Sequence, residues 1–465
     1  MLSHKYRLIL SLFLPALLLS CNGNVNSGKK NSDNKTQTLI MSERQISFSE
    51  KNHALDNNDN FSADDRFLCY DTRGTVYDQN LANCKSVEKI EIATGKETVL
   101  WNPESVTGKD AAPGVAAASY HPKEDKIIFI HGPLLTEVKE RGYYGVRNRT
   151  GVEVSADGKK HITKVDMRDV ATDRPTTQGA QRGGTHRHEY TRDGKRVGFT
   201  YDDFLVQDYD RTIGYMEANP KAPEGYTHYF SLLVKPAKKG EAKPGEIEKA
   251  HSDSWVDTKG RMRAFIGKVR AENGVDYENS LFVAGIPDDV DITTAIAGTA
   301  TEYPTPAKGI SIRRLTHKSN DDGIVRGSFS GDKIAYLSED SKGVKQVFII
   351  SADGSDLSED PGKQPKQVTH FSSDASSLRW YPTDKWIFSV CNGNIAASYI
   401  GEGEQFGKTF FLTNDDKERT QLVVSHNGKV IAYGMKVGSK SSDKSFTQIF
   451  VMNINIDNLN NKIEQ

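Results

Sequence analysis

Seven times along this chain, a polar or aromatic lead-in runs into a tight turn and then a short apolar strand. The copies are FSADDRFLCYD (61–71), YHPKEDKIIFIHG (120–132), YTRDGKRVGFTYD (190–202), WVDTKGRMRAFIG (255–267), FSGDKIAYLS (329–338), WYPTDKWIFSV (380–390) and VSHNGKVIAYG (424–434). Asp-Gly, Asn-Gly and Lys-Gly between apolar runs are hairpin turns. A single such unit cannot bury its apolar face, whereas units stacked around a ring can, and the spacing is that of four-strand blades. No amphipathic helical stretch competes, because Gly, Pro and Asp break most segments.

A second phrase recurs where outer strands would end blades: Arg313-Arg-Leu-Thr-His317, Lys366-Gln-Val-Thr-His370 and Phe411-Leu-Thr413. It also stands alone at the front, as Arg44-Gln-Ile-Ser-Phe48. A closing strand with no blade before it should complete the last blade, beside QIFVMNIN (448–455). Such pairing leaves the ring without a free seam. The expectation is an all-β chain: one seven-bladed β-propeller over 44–456, closed by N- and C-terminal strands. Residues 457–465 read as a disordered tail. Residues 205–250 read as a long insertion in the third blade, rich in Lys, Pro and Gly near its end, that forms a flexible surface lobe.

The front of the chain fixes a compartment. Lys5 and Arg7 precede the apolar run Leu8–Leu19, which meets Ser20-Cys21. That is a signal peptide over 1–20, too short to span a bilayer. Leu18-Leu19-Ser20-Cys21 resembles a bacterial lipobox, which implies a lipid on Cys21. Residues 22–43 read as a polar tether. The protein is then expected on the periplasmic side or the outer-membrane surface, held by lipid alone. Cys69, Cys84 and Cys391 cannot all pair, and Cys69–Cys84 is open to either a bridge or two buried thiols. With 61 basic and 62 acidic side chains, nothing points to nucleic acid.

The repeat resembles TolB-type propellers. The phrases RQISFSEKNHALDNNDNFSADDRFLCYDTRG, HPKEDKIIFIHGP and RGGTHRHEYTRDGKRVGFTYDD resemble the YidR-like propeller family. That family is distantly similar to oligogalacturonate lyases, which hold a metal with histidines and a glutamine in the central funnel. The ligand phrases of the lyases are not cleanly present here, so their site does not transfer residue by residue.

Topology narrows the search for chemistry. Inner strands start, and second strands end, at one mouth of the channel. Counting back from the turns gives His186 and His188, His251 and Asp253, and Asn57 and Asp59; the second strands supply Arg73, His131, Asp202 and Asp203. The i, i+2 spacing of His186 and His188 should place both on one strand face. His186, His188, His251 and Asp253 are therefore the expected ligands of a divalent metal such as Mn, Zn or Fe. Such a metal would neutralise a uronate carboxylate, and His186, His188 or Tyr201 would take the proton. The loop Arg141–Thr150 should overhang the mouth, with Tyr143 and Tyr144 for sugar stacking and Arg147 for carboxylates; Arg73, His131 and Asp202 complete the substrate set. His317, His370 and His426 read as surface or turn residues.

Two functions follow from these residues. One is a metal-assisted lyase acting on acidic, uronate-containing oligosaccharides. The other is a non-catalytic propeller, TolB-like, that holds a glycan or protein partner. A monomer is expected in either case.

Overall fold

The computed structural model describes residues 36–55, 59–73, 84–103 and 114–465. Cys21, the signal peptide, the first part of the tether and Asn57 lie outside the described residues. Seven sheets follow one another around the ring. Blade 1 is Phe67–Asp71, Val87–Glu91 and Glu97–Trp101, with single bridges from Ala54 and Phe61 as its inner edge. Blade 2 is Val115–Tyr120, Lys126–His131, Thr150–Ser155 and Ile162–Lys164; blade 3 is Gly183–Tyr190, Arg196–Asp203, Thr212–Ala218 and His228–Leu232. Blade 4 is Ile247–Trp255, Met262–Arg270, Tyr277–Gly285 and Ser311–Arg314; blade 5 is Asp321–Gly327, Lys333–Glu339, Lys345–Ser351 and Lys366–Gln367. Blade 6 is Ala375–Trp380, Trp386–Cys391, Asn394–Tyr399 and Thr409–Phe411; blade 7 is Thr420–Val424, Val430–Gly438 and Ser445–Asn453, completed by Glu43–Gln45 from the front of the chain. Each turn phrase joins the first two strands of its blade, and the ring closes as the lone Arg44–Phe48 phrase demands.

The closing strand is clasped by charge. Arg419, fully buried, donates to Glu43 at 2.6 and 2.7 Å and to Asp415 at 2.8 and 3.0 Å. The Tyr433 hydroxyl donates to Glu43 at 2.7 Å. Ile46, 1% exposed, fills the core between blades 7 and 1.

Three stretches differ from expectation. Thr36–Thr38 adds a parallel fifth strand to blade 6, and Leu39 and Met41 pack on its core, so the tether is anchored from residue 36. Residues 205–250 are not a lobe: they supply the outer strands of blade 3 and lead into blade 4. The tail folds as a helix, Ile456–Glu464, because Asn455 caps it and Leu459 and Ile463 recur at i, i+4 on a buried face.

The inner strands of blades 2 to 7 all slip register, that of blade 4 at two places. A left-handed residue marks one slip in each blade: Ala117, Arg187, Ser252, Gly323, Ser377 and Gln421. Five of these are not glycine, and each such conformation costs about 1–2 kcal/mol. A bulge of this kind re-aims the side chains around it.

At the opposite face the turns interlock. Asp65 accepts the main-chain N–H groups of His426 and Asn427, at 2.8 and 2.9 Å, and Asp384 does the same for Phe329 and Ser330, at 2.7 Å each. Arg192 reaches from the turn of blade 3 to that of blade 5. It donates to the carbonyls of Gly327, Ser328 and Phe329 at 3.2, 2.8 and 2.9 Å and rests 4.6 Å from the Phe329 ring. Burial lowers the pKa of Arg192, against the opposing pull of Asp384, Glu189, Asp59 and Asp257 from blades 6, 3, 1 and 4.

Candidate functional site: a cationic mouth

The phrase Arg182–Tyr190 is spent residue by residue. Arg182, fully buried, donates from Nε to Asp203 at 2.8 Å. A Cβ on Gly183 would lie 1.9 Å from the Asp202 carbonyl, and one on Gly184 would lie 2.2 Å from that of Val146. Only glycine therefore lets the 141–150 loop settle on the start of this strand, where Arg149 bridges to Gly184. Thr185 donates to the buried Asp166 at 3.1 Å. Glu189 accepts from Arg263 at 2.9 Å and from Ser254 at 2.7 Å, and the Tyr190 hydroxyl donates to Glu153 at 2.5 Å. His186 stays at the mouth, and Arg187 occupies the bulge beside it.

The bulge at Arg187 separates the two histidines that simple alternation would align. Between His186 and Glu189 the strand advances three residues against two on its partner. His186 stays half-buried at the mouth, 3.3 Å from the Thr200 hydroxyl. His188 turns into the wall, fully buried, 6.3 Å from the Phe199 ring and so near Gly151 that a Cβ there would lie 2.9 Å from its Nε2. Asp253 is also committed elsewhere: it accepts from Arg263 Nε at 2.6 Å and pairs with its Nη2 at 2.5 Å, both side chains 1% exposed. The predicted set of His186, His188, His251 and Asp253 is therefore not assembled. Among the described residues, no three His, Cys, Asp or Glu side chains are placed to hold a metal.

Other expectations are corrected by burial. Tyr201 is fully buried and donates to Asp203 at 2.8 Å; burial and that carboxylate push its phenol well above the usual range, so it cannot serve as a base at the mouth. His131 is 2% exposed, lies against Trp101 and Phe129, and is lowered to about 4 by burial. Asp59 belongs to the opposite face, 3.1 Å from His426. Cys69, Cys84 and Cys391 are buried thiols.

What the fold does gather at the mouth is arginine. Burial first, then the charges of Arg149, Arg211, Arg187 and Arg73, hold His186 well below its usual pKa. Asp202 positions two of these: it accepts from Arg211 Nε at 3.0 Å and lies 3.8 Å from Arg149 Nη2. Asp71 holds Arg73 at 2.7 and 2.8 Å. Arg149 is 2% exposed; its Nη1 donates to the Tyr144 hydroxyl at 2.9 Å, while Nε and Nη2 have no hydrogen-bond partner. His251, half-buried and hydrogen-bonded to Ser252 at 2.9 Å, is lowered to about 4 by burial, then by Lys249 and Arg211. Arg147 is spent on the Asp203 carbonyl; Tyr143 stands 52% exposed on the overhanging loop with Val146 also exposed, and Phe204, directly after the second strand of blade 3, is exposed as well. Deeper in the channel, the inner strands of blades 5 to 7 enclose about 450 Å³, lined by Arg326, Arg379, Lys345, Asp322 and Gln421.

Sequence reasoning missed Arg187 and Arg211. Arg187 neighbours both predicted histidines, and only the bulge reveals its direction.

Comparison with known proteins bears on these blades. The family described as "Protein of unknown function (DUF3748)" matches residues 114–222. The chain is 29% identical over 391 residues to the "Uncharacterized protein YidR" of Escherichia coli (strain K12), covering 78% of this chain and 87% of that one. The chain is similar to YidR over most of its length, and its own sheets make it a seven-bladed propeller. Among solved structures, an oligogalacturonate lyase in complex with manganese is 8% identical, with a TM-score of 0.45 over 90% of this chain and 98% of the other. TolB from Acinetobacter baumannii is 11% identical, with a TM-score of 0.37 over 88% and 86%. The family match spans blade 2, its overhanging loop and the inner strands of blade 3, the elements that carry Arg149, His186, Arg187, Asp202 and Arg211.

Proposed function

We propose that this propeller binds an acidic oligosaccharide at the cationic mouth, receiving its carboxylates among the guanidinium groups around His186. The observation that carries the reading is Arg149: a buried guanidinium whose Nε and Nη2 have no hydrogen-bond partner among the described residues, with Asp202 no nearer than 3.8 Å. Leaving donors of a buried charge unmet costs about 1–3 kcal/mol, which an arriving carboxylate would recover. Guanidinium groups match carboxylates through paired N–H donors. Tyr143, Val146 and Phe204 on the rim offer apolar surface to sugar rings. Titration calorimetry with uronate oligomers tests the reading. Arg149→Met should weaken binding about tenfold or more, the equivalent of one charge-assisted contact. Equal affinity for neutral oligosaccharides of the same length would refute it.

Elimination at the same mouth would fall to His186, which burial and then its arginine neighbours keep neutral and therefore a proton acceptor. The arginines would then neutralise the uronate carboxylate. That chemistry requires an unsaturated, ultraviolet-absorbing product that disappears in His186→Ala. Binding without such a product identifies the chain as a binding propeller.

A further inference from the structure

The strand-start face carries a second concavity, away from the axis. A cavity of about 730 Å³ lies between the rims of blades 4 and 5, and one of about 760 Å³ between blades 3 and 4. Glu272 and His317 line both, so the two form one trough. Its halves differ in character. Glu272, Asp276, Glu278, Asp321, Glu339 and Asp340 line the first half. Of these six, among the described residues, only Glu278 has an ion-pair partner, Arg314 at 3.0 Å. His317 is itself held by Asp356 at 2.8 Å, which leaves Lys318 as the other cation on this lining.

The floor of that half points to a ligand independently of the charge. Tyr336, 2% exposed, lines the cavity 5.9 Å from the Phe348 ring. Its hydroxyl has no hydrogen-bond partner among the described residues and lies in the field of Asp321 and Asp356. A phenol oxygen flanked by carboxylates accepts readily from an ammonium or guanidinium donor. The second half is richer in apolar side chains: Val234, Pro236, Phe282, Pro306 and Ile310 line it beside Lys235, Glu246 and Arg314, and Ile312 on the outer strand of blade 4 is 40% exposed.

We propose that this trough binds an extended peptide, its basic residues over blades 4 and 5 and its apolar residues over blades 3 and 4. Charge complementarity selects the basic part. The adjoining apolar half calls for a ligand that changes character along its length, as a polypeptide does and a simple polyamine does not.

The test uses the full chain and a fluorescein-labelled peptide of four lysines followed by four valine and leucine residues, read by anisotropy. Binding should weaken with salt, and a glutamate-for-lysine peptide should bind at least about tenfold more weakly. Glu272→Lys with Glu339→Lys should lower affinity about tenfold or more, and Ile312→Asp comparably. Tyr336→Phe removes one oxygen without changing shape and should cost a few-fold. No binding by wild type, equal binding of the glutamate peptide, or full affinity in the Glu272→Lys/Glu339→Lys protein would overturn the proposal. So would loss of binding in Arg149→Met but not in the trough variants, which would move the peptide to the axial mouth.

Discussion

Replacing Glu43 by alanine should loosen the ring at its seam. The carboxylate takes two hydrogen bonds from Arg419, which is fully buried, and one from Tyr433. Removing one partner of a buried ion pair costs about 3–5 kcal/mol because the other charge stays behind. Glu43 keeps 16% of its side-chain exposure, and Asp415 remains beside Arg419, so the lower end applies: about 3 kcal/mol. For the 431-residue unit Lys35–Gln465, an unfolding entropy of about 2.1 cal/mol/K per residue gives about 0.9 kcal/mol/K. Calorimetry should therefore find the melting temperature lowered by about 3 °C. Lys417→Ala provides the contrast: that side chain is 61% exposed and 3.8 Å from Glu43, so its loss should be within noise. The pH dependence follows from the shift. Burial alone would raise the Glu43 pKa, but the hydrogen bonds from Arg419 and Tyr433 prevail and lower it. The folded pKa lies below the unfolded one, so the wild-type advantage is complete above about pH 4.3 and fades as pH falls through the folded value. An unchanged melting temperature for Glu43→Ala at pH 7 would refute the clasp.

Other outcomes are expected. Truncation to residue 35 should leave the melting temperature unchanged, whereas truncation through Phe48 should lower it well beyond Glu43→Ala, because Ile46 is lost too; equal values would sink the closure argument. His426 is raised to about 11, chiefly by Asp59, so its contribution should be greatest below about pH 6.5 and decline toward alkaline pH; a His426→Asn difference that grows with pH would contradict this. Gly184→Ala should expose the 133–148 segment to limited proteolysis and weaken uronate binding, while Gly183→Ala should lower stability. Cys21→Ser should release the protein from the membrane fraction; retention with lipid attached would end the lipoprotein reading.

The turn phrases were sufficient to count the blades because a short polar turn rich in Asp, Asn, Gly and Lys precedes an apolar strand in every first hairpin, whatever the rest of the blade does. Closure was legible because Arg44-Gln-Ile-Ser-Phe48 has no blade of its own. The site was less legible, for two physical reasons. Strand alternation predicts side-chain direction only where the register is unbroken, and Arg187 and Ser252 break it within the predicted metal set. A carboxylate's partner can also lie on another strand: Asp253 is claimed by Arg263, ten residues on, and nothing in HSDSW announces it. The helix at 456–464 was visible in the spacing of Leu459 and Ile463 but is short, and its stability comes from docking beneath Trp386, whose indole donates to Asn460 at 3.0 Å.

Arg192 has a consequence for the mechanics of the ring. Its guanidinium holds three consecutive carbonyls, Gly327 to Phe329, so the turns of blades 3 and 5 are tied together although blade 4 stands between them. A force that parts blade 4 from one neighbour must therefore strain the other side as well. Such a ring should resist opening as a group of three blades and give way in one step, instead of peeling blade by blade.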